Sequence, residues 1–200
     1  SFALDPPPSF EPGGAGPVPQ YLASEVKPLL FLPVKSAPEA RIRKWLNAMG
    51  PVTTGMDRQS LRRWREAHPG QRSFTVIRHP LARAHAAFAD FIEREWMPEL
   101  RPYLKRVHKY QLPGKGKGYA SAAEYREGLL VFLDMIKHIL NGRTELKVPP
   151  QLATQGAILQ GFAGVQGPDV ILREERLAAG VAFLTAEIGQ EPPPLPEAGD

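Results

Sequence analysis

The sequence predicts one α/β domain with a central parallel sheet flanked by helices. Three observations lead there. Two short apolar runs, Leu29–Val34 and Ser73–Ile77, have the length and the bounding breaks of buried strands. Each is followed by a stretch of helical composition, and strands that alternate with helices favour a parallel sheet covered on both faces. The chain of 200 residues is long enough to bury one core and short for two.

In chain order, residues 1–20 crowd prolines around Gly13, Gly14 and Gly16 and read as a disordered arm. The ordered domain is expected over 21–190, and the Pro-rich stretch 191–200 reads as a tail of similar character. The first strand–loop–helix unit runs from Leu29 to Met49, with the helix starting near Arg41. Asp57 has the side chain of an N-cap for a helix reaching about His68, after which Pro69-Gly70 breaks the chain. The second unit couples the strand ending at Ile77 to a helix that begins at Pro80, with Leu81, Ala84, Phe88, Phe91 and Ile92 along one face. A short helix follows over Pro98–His108, then a flexible basic loop Gln111–Gly118. Ser121 is placed to cap a long helix to about Leu140. A last strand, Asp169–Leu172, precedes a helix over Glu174–Ile188 that Gly189 ends.

Composition narrows the chemistry. With 25 Lys and Arg against 21 Asp and Glu, the excess of +4 is local, which favours an anionic ligand over a general nucleic-acid coat. The absence of cysteine excludes disulfides, thiolate zinc sites and cysteine nucleophiles, and no metal site is expected. No run approaches the roughly 20 apolar residues that span a bilayer, and no leader pattern opens the chain, so it reads as soluble. Its richness in Ala, Pro, Arg and Gly fits a GC-rich bacterial genome and a cytoplasmic setting. Neither Walker glycines nor a dinucleotide fingerprint is present.

The most informative stretch is Phe74-Thr-Val-Ile-Arg78-His79-Pro80-Leu-Ala-Arg83-Ala-His85-Ala86-Ala87-Phe88. A strand that ends in Arg and turns through Pro into a helix puts Arg78 at the carboxyl edge of the sheet, where open α/β sheets bind ligands, beside a helix N-terminus that favours phosphate. The fork of donors on Arg78 suits a phosphate dianion.

This stretch resembles the 3′-phosphate-binding motif of sulfotransferases that use 3′-phosphoadenosine 5′-phosphosulfate (PAPS), above all the carbohydrate sulfotransferase branch. Arg78, Pro80, Arg83, Ala87 and Phe88 match that pattern, while His79 stands where Asp is usual and Ala86 where a phosphate-binding Ser is usual. The first unit, Pro33-Val34-Lys35-Ser36-Ala37-Pro38-Glu39 leading to Trp45-Leu46, is similar to the loop that wraps the 5′-phosphosulfate, with Val34 inserted and Pro38 and Glu39 in place of hydroxyl residues. Asp169–Leu177 is similar to the late strand and helix start of the same enzymes.

The resemblance implies a P-loop-like sulfotransferase fold, PAPS as co-substrate, no metal, and a hydroxyl-bearing acceptor such as a carbohydrate or a small metabolite. It assigns Lys35 as the cation on the leaving oxygen, Ser36 and Ala37 as backbone donors to the sulfated phosphate, and Arg78, Arg83 and the position of Ala86 to the 3′-phosphate. No spacing selects a base among His79, His85, His108, His138 and Glu39. Two other readings stand beside this one: a catalytically impaired module that keeps the fold and binds, motivated by Ala86, Pro38 and Glu39, and a polyanion or nucleic-acid binder using Arg58, Arg62, Arg63 and Arg65 with Lys115 and Lys117.

Overall fold

The computed structural model describes residues 20–197. Apart from Gln20, the arm read over 1–20 lies outside them, as do the last three residues of the tail. The described chain forms two compact units, one of residues 20–79 with 154–197 and one spanning Pro80–Ala153.

The first unit is built on a five-stranded sheet. Its strands are β1 (Leu22–Ser24), β2 (Leu29–Leu32), β3 (Val52–Thr53), β4 (Arg72–Ile77) and β5 (Val170–Arg173), in the order β3-β1-β2-β4-β5. β2, β4 and β5 run parallel, pairing Phe31 with Phe74 and Phe74 with Val170. β1 is antiparallel to both β2 and β3. The sheet is therefore mixed, which corrects the expectation of a parallel one. The antiparallel half escaped notice because strands of three and two residues are too short to display an alternating pattern.

Helices cover both faces, and the side-chain alternation of the strands shows why. Leu29 and Phe31 of β2 point to a core shared with α1 (Glu39–Asn47) and α7 (Leu177–Glu187), through Ile42, Trp45, Leu46, Val181 and Leu184. Leu30 and Leu32 point to the opposite core with Leu61 and Trp64 of α2 (Arg58–Ala67) and Phe162 of α6 (Gln155–Ala163). Each such side chain removed from water contributes about 1.5–3 kcal/mol. Asp57 caps α2 as its sequence indicated, accepting a hydrogen bond from the Ser60 N–H at 2.7 Å, and the Ser60 hydroxyl first, then that backbone bond, holds its carboxyl below the usual range. Residues 191–197 carry no regular element yet are held: the Trp45 indole donates to the Pro193 carbonyl, Arg41 Nε to the Pro196 carbonyl, and Leu195 packs on the α1 core.

The second unit is helical: α3 (Pro80–Arg94), α4 (Leu100–Val107) and α5 (Ala122–Leu140). Phe88 and Phe91 of α3, Leu100 and Leu104 of α4, and Phe132, Met135 and Ile139 of α5 form a core of their own. The single domain expected over 21–190 thus resolves into two compact units. Ser121 caps α5 through Glu124 N–H, and the basic loop is tied down, with Gly116 N–H donating to the Ile92 carbonyl and Arg101 Nη1 to that of Pro113. Gly128 of α5 leaves room for Tyr119, whose hydroxyl would stand 2.1 Å from any Cβ there. Among the described residues, no helix is long and apolar enough to cross a membrane.

Candidate functional site

Because β2, β4 and β5 are parallel, their carboxyl ends open on one edge of the sheet, and the segments that leave them carry Lys35, Arg78 and Glu174. Arg78 follows β4 directly. Its backbone is fixed by the Gln155 carboxamide, which accepts from the Arg78 N–H at 3.0 Å and donates to the Arg78 carbonyl at 2.8 Å. Gln155 thus continues the hydrogen-bond ladder one residue past the strand and holds the stem of the arginine.

The guanidinium is placed as firmly. Nε and Nη2 each donate to one oxygen of Glu174 at 2.5 Å, and Nη1 donates to the Ser36 carbonyl at 3.2 Å. Both side chains of this pair are about four-fifths buried. The contact to Ser36 joins the segment after β4 to the loop after β2. Ser36 adopts φ +62°, a left-handed conformation that costs a residue with a Cβ about 1 kcal/mol or more.

The loop after β2 is closed by the Ala37 N–H donating to the Val34 carbonyl at 3.1 Å. The Lys35 ammonium, half exposed, lies 3.1 Å from Glu39, and Glu39 also receives Arg43 at 3.2 Å. The site therefore holds two cationic groups in balance, a fork on Arg78 and a point charge on Lys35, each facing a carboxylate of the same unit.

Of the residues assigned from sequence, Lys35, Ser36, Ala37 and Arg78 lie in the sheet unit, and Ser36 and Arg78 are in contact there. The Ala37 N–H, expected to face a phosphate, is engaged in its own turn. Arg83 and Ala86 lie on α3 in the helical unit. Arg83 is 7% exposed and donates to the Ala153 carbonyl at 2.7 Å and the Pro150 carbonyl at 3.0 Å, and burial draws its pKa down to about 10. Ala86 is half-buried one turn beyond it.

The histidines weighed as bases divide similarly. His79 is exposed at the end of the sheet unit's first segment, while His85 shares a 2.9 Å hydrogen bond with the Tyr125 hydroxyl, and His108 and His138 flank Asp134 in the helical unit. On α2, Arg58, Arg62 and Arg65 line an open depression with Leu61, Gly164 and Val165.

Sequence reasoning missed Glu174 and Gln155 as site residues. In the sequence Glu174 reads only as a helix start. The sole signal for Gln155 was Thr154, whose hydroxyl caps α6 by accepting from the Ala157 N–H. No protein-family model, no curated protein and no solved structure matches the chain.

Proposed function

We propose that the protein binds the nucleotide of PAPS at the carboxyl edge of β2, β4 and β5, in the manner of a P-loop-like sulfotransferase fold, and transfers its sulfuryl group to a hydroxyl of a carbohydrate or small metabolite. The observation that supports this reading is the hydrogen bond from Arg78 to the Ser36 carbonyl, which joins one residue of each of the two stretches that resemble the 3′- and 5′-phosphate motifs. In such a transfer the acceptor oxygen attacks sulfur, the bond from sulfur to the 5′-phosphate oxygen breaks, and 3′,5′-adenosine bisphosphate leaves with an added negative charge. The acceptor's proton passes to a base. Lys35 supplies the cation for the leaving oxygen, and Arg78 the fork for a phosphate dianion once Glu174 turns aside.

A second reading is a binding module without turnover. It is supported by the pairing of Lys35 with Glu39 and by the Ala37 N–H being used within the loop, since both withdraw groups that transfer would employ. The arginines of α2 support a third reading, a polyanion site, whose mark would be a steep fall of affinity with salt and no competition by the nucleotide.

Calorimetric titration with 3′,5′-adenosine bisphosphate and with adenosine 5′-phosphate tests the first reading without knowledge of the acceptor. The bisphosphate is expected to bind at least tenfold more tightly, and Arg78→Ala to weaken it by about 1.5–3 kcal/mol. A folded protein that takes up neither nucleotide at millimolar concentration would overturn it, and bisphosphate binding without sulfuryl transfer to any acceptor would select the second reading.

A further inference from the structure

We propose that His108, Asp134 and His138 form a binding site for a divalent transition-metal ion of the zinc type, a site separate in kind from the nucleotide reading. Asp134 and His138 are one turn apart on α5, so they rise from the same face of that helix. His108 caps the C-terminal end of α4, where the unpaired carbonyls of the helix favour a positive charge. Its ring reaches the α5 pair: His108 Nδ1 stands 3.6 Å from Asp134 Oδ2, and His138 Nε2 stands 4.0 Å from the same oxygen. One donor atom from each of the three lies within 4.8 Å of the other two, and the two imidazole rings face each other at 5.5 Å with 31° between their planes.

These separations are too long for hydrogen bonds and close to those around an ion. Donors at about 2.0–2.1 Å from a tetrahedral zinc are roughly 3.3 Å apart, so rotamer adjustments of up to about 1.5 Å close the set. The adjustable members are the exposed ones, since Asp134 is 52% and His138 31% exposed, whereas His108 at 10% is the fixed anchor.

A second observation is independent of these distances. His108 Nε2 is buried with no hydrogen-bond partner, and the ring packs against Tyr103. Burying an imidazole without compensation costs free energy. Nε2, without a partner, does not compete for the ring's orientation, and Nδ1 is the nitrogen that faces Asp134 Oδ2; with the proton on Nε2 the Nδ1 lone pair is the one offered to a metal ion, and Nε2 itself stays unpartnered.

The donor set also defines the ion. Two imidazole nitrogens and one carboxylate suit Zn²⁺, Co²⁺ or Ni²⁺ and serve Mg²⁺ or Ca²⁺ poorly, because the latter demand more oxygen ligands. The exposure of Asp134 and His138 leaves the fourth position to water. Within the helical unit such an ion would tie the end of α4 to α5, adding a fixed point beside the core of Leu100, Leu104, Met135 and Ile139.

The test uses the untagged full chain, stripped with chelator and titrated with ZnCl2 in a non-chelating buffer at neutral pH. One ion per chain is expected with micromolar affinity, Co²⁺ should develop visible absorption bands at the same stoichiometry, and Zn²⁺ should raise the melting temperature by mass action. His138→Ala, which alters a partly exposed side chain, should weaken zinc binding at least tenfold and abolish the thermal shift, as should Asp134→Asn, while His85→Ala on the same unit should change neither. The proposal is overturned if no saturable binding occurs below about 1 mM, or if His138→Ala and His85→Ala bind zinc equally well.

Discussion

Arg78 and Glu174 meet as a fork on a carboxylate, Nε on one oxygen and Nη2 on the other, each at 2.5 Å. The pair stabilises the edge of the sheet, and it also sets a threshold for any anionic ligand, which must replace Glu174 on the same donors. Glu174→Gln keeps the shape of the side chain but removes its charge. It should lower stability by about 1–2 kcal/mol, the usual loss for a charge-assisted hydrogen bond, and at the same time tighten 3′,5′-adenosine bisphosphate several-fold. Calorimetry and urea denaturation measured on one preparation check both signs. Weaker nucleotide binding in a folded Glu174→Gln protein would place the phosphate elsewhere.

If the proposed sulfuryl transfer holds, Lys35 separates binding from chemistry. A cation that meets the leaving oxygen acts more strongly in the transition state than in the ground state, so Lys35→Ala should reduce turnover by tenfold or more beyond any loss of nucleotide affinity. Equal losses in kcat/KM and in the affinity for 3′,5′-adenosine bisphosphate would make it a plain phosphate clamp. Glu39→Gln, which releases its partner, should raise affinity for the nucleotide.

The left-handed Ser36 predicts opposite effects on stability and binding. Ser36→Gly removes the steric cost at φ +62° and should stabilise the fold by about 0.5–1 kcal/mol. The loop also loses the rigidity that aims its carbonyl at Arg78, so nucleotide affinity should fall a few-fold. Denaturant midpoints and titration of the same variant decide it, and a change of the same sign in both would show that the conformation has no bearing on the site.

Tyr119 governs an alkaline response. Its hydroxyl is buried over Gly128, and burial first, then the interaction with the neighbouring Tyr110 phenol, pushes its pKa far above the usual tyrosine range. The sign follows from the raised value in the folded state. Below pH of about 10 both folded and unfolded chains keep the proton, and the contribution is fully present; above it the unfolded chain ionises first and stability is lost. Tyr119→Phe should therefore flatten the fall in the urea midpoint between pH 9 and about 11, leaving the smaller contributions of Tyr21 and Tyr125, whose pKa values burial also raises. An unchanged slope in the variant would count against it.

Much of the fold was legible where a single residue type dictates the local backbone. Asp57 and Ser121 cap helices, Pro80 opens α3, and Gly189 at φ +67° ends the last helical stretch, each as its chemistry requires. β2 and β4 were readable because both faces are buried, with β2 apolar throughout and β4 rich in β-branched and aromatic residues from Phe74 to Ile77. β1 and β3 were not, since strands of three and two residues carry too little pattern, and Ala23 pairs on one side with nearby Leu30 and on the other with the more distant Thr53. α6 was hidden by Gly156 and Gly161, which depress helix propensity. In the site, the position of Arg78 at a strand end followed from the Arg-x-Pro order. The partners that hold it did not, because Gln155 and Glu174 lie 77 and 96 residues away and only the register of β4 with β5 brings them near.

The helical unit interrupts the sheet between β4 and β5, and this has a consequence for synthesis. As the chain leaves the ribosome, β1 to β4 emerge together, but the edge strand that pairs with β4 follows about ninety residues later, roughly five to twenty seconds at usual elongation rates. During that interval α3 to α5, which share a core of their own, are already made, while the open side of β4 and the carboxylate that Arg78 meets are not. The side of β4 that β5 covers in the folded chain is thus an unpaired strand edge until residues 170–173 appear.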